Sequence, residues 1–153
     1  MKILVIYHLC ERSIILKKEY FFEMGFRGLT LMFWPIIIYT WIFIPNIFIE
    51  KNSFLIFSIL AIIYIISLII LQLKYKFLDN IVIYYRVSTL ISFILTLATF
   101  LLYPTNITLM WLKLLSIFIY FYISFKNVYN YKIDECVVGV ISAILLFVIT
   151  ICY

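Results

Sequence analysis

The chain reads as an all-α polytopic membrane helix bundle of about five spans with a short amphipathic helix at its N-terminus. Three observations predict this. Of 153 residues, 67% are hydrophobic and only 12% charged, where soluble domains carry roughly a quarter charged residues and could not hide so much apolar surface. Residues 28–49, 52–73 and 87–112 contain no charge, and each run exceeds the roughly 20 residues that cross a bilayer. Finally, lysine and arginine concentrate on alternate connecting segments, as they do in multi-pass proteins.

The first apolar patch, residues 3–10, stops at Glu11 and Arg12. It is too short to span and has no small-residue cleavage site of a removable signal. From residue 10 to 27, Arg12, Glu19, Glu23 and Arg27 fall on one helical side while Ile14, Phe21 and Phe22 fall toward the other. That periodicity predicts an amphipathic arm, residues 1–27, lying on the cytoplasmic membrane surface with its basic residues on anionic lipid. Docking to a partner is the alternative role for the arm.

Residues 28–153 form the bundle, with spans expected at 28–49, 53–73, 81–103, 107–125 and 137–153, the last near the lower length limit. Pro35 and Pro45 fall in the first span. The expectation is that Pro45 and Asn46 end it and that Pro35 is a tolerated kink, the other reading being a hinge. The very short links predict that each helix packs beside its sequence neighbours.

Charge sets the direction. With the N-terminus cytoplasmic, Lys2, Arg12, Lys17, Lys18, Arg27, Lys74, Lys76, Lys126 and Lys132 lie inside, against Lys51 alone outside. Arg86, near the inner end of the third span, is expected to snorkel to the cytoplasmic headgroups. Tyr84, Tyr85, Tyr120 and Tyr122 near one interface, and Tyr103, Trp111 and Tyr153 near the other, agree in part. The richness in Ile, Phe, Tyr, Lys and Asn points to an AT-rich gene of the kind common among horizontally acquired bacterial sequences, so a bacterial inner membrane is the expected location.

Only polar residues inside the spans could carry a mechanism. Arg86, Thr89, Ser92, Thr96 and Thr99 share a face of the third span, and Lys113, Ser116, Tyr120 and Ser124 share one on the fourth. Gly139 and Ala143 on the fifth allow close helix approach. The first expectation for these hydroxyls is helix packing, the second a polar path. Phosphate-cradling loops cannot be built from Gly25, Gly28 and Gly139. Cys10, Cys136 and Cys152 lack metal spacing, and His8 is the sole histidine. No acid lies within the expected spans, which argues against a proton-coupled carrier and an intramembrane protease. An enzyme is therefore not expected, nor a cofactor, a metal or a nucleic-acid partner. The Asn106, Ile107, Thr108 glycosylation pattern lies too close to the membrane to count.

Lys113 stands alone among uncharged residues from 103 to 125. A central lysine opposes insertion by about 2.5 to 3.5 kcal/mol, and surrounding Leu, Ile and Phe residues return roughly 0.3 to 0.6 each. The span therefore inserts without a special partner. Glu50, the only acid on the outer side, is a candidate ion-pair partner, and the other role for Lys113 is a cationic spot in an outward-facing cleft.

In general appearance, as a small, basic, polytopic membrane protein, the chain resembles the immunity proteins of pore-forming colicins, inner-membrane proteins that block a toxin's channel. The resemblance implies a protein that acts by binding a toxin or another membrane protein in the bilayer. The alternative is a small channel or transport component, homo-oligomeric, with an anion preference set by Arg86 and Lys113.

Overall fold

The computed structural model describes residues 2–44, 46–75, 80–102 and 105–152; of these, nothing is said of the side chains of 2–12, 15, 41, 47, 75 and 152. Pro45, Lys76, Tyr103 and Tyr153 lie outside the described residues. Among those described, all regular structure is helical: α1 Lys2–Phe43, α2 Ile47–Tyr75, α3 Asn80–Leu101, α4 Ile107–Tyr131 and α5 Glu135–Cys152. α1 to α4 each contain a stretch long and apolar enough to cross a membrane, which fits a multi-pass membrane protein. α5, with 18 residues, is ~27 Å long at the α-helical rise.

Heptad-like spacing explains why these helices pack. The buried positions of α1 are Phe26, Thr30, Phe33, Ile37 and Thr40; those of α2 include Phe54, Ser58, Ala61, Ile65, Leu68 and Gln72. The steps alternate between three and four residues, and the same alternation runs through Val82, Tyr85, Thr89, Ser92, Thr96 and Thr99 of α3. Such a period keeps one seam facing its neighbours along the helix. The opposite faces carry exposed large hydrophobic side chains, including Phe21, Met32, Ile63, Trp111 and Tyr122, a pattern suited to lipid.

Consecutive helices pack side by side as expected, and α5 also meets α1 and α3, which closes the bundle. Aromatic rings join the first three helices: Phe33 stacks on Phe57 at 4.1 Å and 6°, and Phe57 and Phe26 both reach Phe93. Gly139 of α5 permits a close approach, since a Cβ there would lie 2.5 Å from the Tyr85 ring and 2.8 Å from Ser124 Oγ. One end of the bundle holds the C-termini of α1 and α3 with the N-termini of α2 and α4, and the other the C-termini of α2 and α4 with the N-termini of α3 and α5.

The helical character expected of residues 10–27 is present, but the helix does not turn aside before the first span. It runs unbroken through Gly25, Gly28 and Pro35 to Phe43, with no glycine at positive φ. The apolar stretch of α1 is Leu16–Thr40, so Glu19, Glu23 and Arg27 enter the bundle. Neutralisation makes this feasible. Arg27 pairs with Glu23 one turn away, and Glu19 meets a cation from α3. Pro35 sits within the helix on an exposed face, and having no amide N–H it cannot bond the carbonyl of Leu31 four residues earlier.

Candidate functional site

Polar side chains gather in two places, one near each end of the bundle. At the end holding the α2–α3 and α4–α5 joins, Arg86 is the centre. It lies in the second turn of α3 and shares the buried seam with Thr89 and Ser92, so its side chain points into the bundle and is 1% exposed. The snorkelling expected from its position near a helix end does not occur. An inward guanidinium is tolerated because the surrounding helices supply acceptors for it.

Those acceptors come from three other helices. Arg86 Nε donates to Glu135 Oε1 at 3.1 Å and Nη2 to Glu135 Oε2 at 3.0 Å, a side-on fork onto one carboxylate. Nη2 also donates to Glu19 Oε1 at 3.0 Å, and Nη1 to Gln72 Oε1 at 3.1 Å. A guanidinium has five N–H donors, and these bonds use four of them. Planar, bidentate, charge-assisted bonds are the strong kind, and here they join α1, α2, α3 and α5 at a single residue. Glu135 is also the first residue of α5, where the helix dipole favours a carboxylate.

Electrostatically the cluster holds one guanidinium against two carboxylates, while the adjacent Glu23 and Arg27 balance each other. Acids enter the bundle where none was expected, Glu135 buried at the start of α5 and Glu19 part-buried on α1. Their oxygens nevertheless face Arg86, which has donors only and holds them as acceptors.

Along the α3 seam the hydroxyls close on backbone. Thr89 Oγ1 donates to Tyr85 O at 2.8 Å, Thr96 Oγ1 to Ser92 O at 2.7 Å, and Thr99 Oγ1 to Thr96 O at 2.9 Å. On α4, Ser116 Oγ donates to Lys113 O and Ser124 Oγ to Tyr120 O. Ser92 alone among these crosses between helices, giving its proton to Ser116 O at 2.9 Å. Tyr120 is fully buried beside Tyr85, at 6.0 Å between ring centroids, and its hydroxyl has no direct partner among the described residues. Tyr85 donates to the carbonyl of Glu135. Of the nine polar positions expected to share the α3 and α4 faces, seven are buried in the interior, and Lys113 and Ser116 are half-buried.

At the opposite end a cleft of about 260 Å³ opens between helix ends. Lys51 of α2, Thr96 and Thr99 of α3, Asn106 and Lys113 of α4, and Thr150 of α5 line it together with Phe100, Met110 and Ile149. Lys51 Nζ stands 5.7 Å from the centre of the Phe100 ring. Asn106 caps α4, its Oδ1 accepting from the amides of Thr108 and Leu109. Glu50 is buried on the first turn of α2, next to Lys51 and outside the cleft lining. Lys113 and Lys51 are the two cations among the described residues that line this cleft.

Gln72, Glu19 and Glu135 escaped the reading of the sequence. Gln72 ends the three-and-four seam of α2, and Arg86 belongs to the seam of α3, so periodicity carries the signal for both. Among the described residues no three His, Cys, Asp or Glu side chains gather as a metal-ligating group. Comparison with known protein families, characterised proteins and solved structures finds no match for this chain.

Proposed function

We propose that the protein acts by binding another component within the bilayer, as an immunity protein binds a pore-forming toxin, and that it sits in a bacterial inner membrane with its N-terminus cytoplasmic. One observation carries the reading: the side chains of the Arg86 cluster are bonded to one another, and the hydroxyls of Thr89, Ser92, Thr96 and Thr99 to backbone carbonyls of α3 or α4. A conducting path needs polar groups free to exchange partners with a passing ion. A pairing used for packing needs the reverse, and small, hydroxyl-bearing seams are how membrane helices associate. The surfaces left for action are the apolar exterior and the cleft at Lys113.

The alternative, an oligomeric channel or transport component with an anion preference, has the two-lysine cleft in its favour. Against it stands the internal bonding of the α3 hydroxyls below that cleft. The experiment is expression in a toxin-sensitive host, followed by challenge with a panel of pore-forming bacteriocins. Survival against one toxin, with no protection against others, is the expected result. Sensitivity to every toxin in a host shown to hold the protein in its membrane would remove the immunity form of the proposal.

A further inference from the structure

We infer that the cleft at Lys51 and Lys113 is a binding site for a phosphate group. The two ammonium groups come from α2 and α4, and no acid is among the described residues lining the cleft. Lysine is a compact point charge that binds phosphate well and needs no fixed fork geometry. A third donor is oriented by the fold: because Asn106 Oδ1 is held by the α4 amides, its Nδ2 is turned away from the helix end as an N–H donor. The same helix start supplies the positive end of the α4 dipole.

The threonines of the cleft act differently. Thr99 and Thr150 give their protons to carbonyls of their own helices, Thr150 to Leu146 O at 2.7 Å. The two ammonium groups, from α2 and α4, and the asparagine amide at the start of α4 are therefore the donors, on residues that line one space. About 260 Å³ is also far more room than a bare halide needs and admits a phosphate with its substituent.

Charge distribution makes these lysines informative. The majority of cations belong to segments of the opposite end, and Lys51 and Lys113 stand apart from them. The apolar members of the lining, Phe100, Met110 and Ile149, adjoin the cations, an arrangement that fits a phosphate carried on an amphiphile. The shared chemistry is a phosphate group, from a lipid headgroup or from solution.

The test uses the full chain, purified in detergent and stripped of lipid, with native mass spectrometry as the readout. Phosphatidylglycerol, phosphatidylcholine and inorganic phosphate are offered separately. The expected result is one phosphatidylglycerol retained per chain in preference to phosphatidylcholine, whose ammonium the lysines repel. Binding of inorganic phosphate without lipid retention would support the site and assign it to a free phosphate. Each charged hydrogen bond is worth roughly tenfold or more in affinity, so Lys51→Gln with Lys113→Gln should weaken binding about a hundredfold. Lys51→Arg with Lys113→Arg should keep it. Removing charge from a membrane segment favours insertion, so loss of binding in the glutamine variant is not a failure to fold, and unchanged helicity by circular dichroism checks this. Equal retention by wild type and the glutamine variant, or no binding of any probe by wild type, overturns the inference.

Discussion

Replacing Arg86 with methionine removes the guanidinium that joins α1, α2, α3 and α5. Its four hydrogen bonds disappear, and three of them end on carboxylates. Glu135 stays 6% exposed at its side chain and cannot recover its solvation, whereas Glu19 at 13% recovers part. Breaking a buried pair by removing one partner destabilises by about 3–5 kcal/mol, and two carboxylates left facing each other place Arg86→Met toward the upper part of that range. Arg86→Lys keeps the charge and loses the side-on fork, for about 1.5–3 kcal/mol. Methionine at 19, 86 and 135 together leaves no orphaned charge, and such replacements are often neutral or stabilising by about 1–4 kcal/mol. The assay is unfolding in mixed micelles of increasing denaturing detergent, followed by tryptophan fluorescence and circular dichroism. The expected order is triple variant at or above wild type, then Arg86→Lys, then Arg86→Met. A loss in Arg86→Met no larger than the roughly 0.5 kcal/mol of a surface substitution would refute the claim that this network holds the helices.

Two glycines within the helices should respond in opposite senses. A methyl at Gly139 meets the Tyr85 ring at 2.5 Å, while one at Gly28 meets nothing within 4 Å; Gly139→Ala should destabilise by about 1–3 kcal/mol and Gly28→Ala should stabilise by roughly 0.5–1 kcal/mol, both read in the same detergent titration. Lys132 ends α4 in the left-handed region at φ 52°, its amide bonded to the carbonyls of Asn127 and Val128. Lys132→Gly should gain about 1 kcal/mol or less, because glycine's freedom in the unfolded chain offsets part of the relief, and Lys132→Val should lose stability; equal stability of the two would contradict the backbone argument.

Much of the fold was legible because hydrophobic runs and charge placement are properties of sequence alone. Five helices, their short links and the interior stripe of α3 follow from these. The arm was harder. Lys17 and Lys18 look like membrane-surface residues, and nothing in residues 10–27 reveals that the opposite face, Glu19, Glu23 and Arg27, continues the seam begun by Phe26 and Thr30 unless the partner on α3 is known. Arg86 shows two competing principles. Its depth near a helix end favours snorkelling, its register favours burial, and register wins because Glu135, Gln72 and Glu19 arrive from distant parts of the chain. Lys113 stands out in the sequence as a lone charge, but Lys51 as its companion in the cleft depends on how α2 and α4 end in space.

Anion flux through the purified protein in liposomes is the most direct measurement of the central claim, that the interior polar groups bind helices together and do not conduct. The account predicts flux equal to that of empty vesicles for the wild type and for Thr96→Val, whose hydroxyl is bonded to Ser92 O. Anion flux above empty vesicles that falls on Thr96→Val or Lys113→Leu would contradict it.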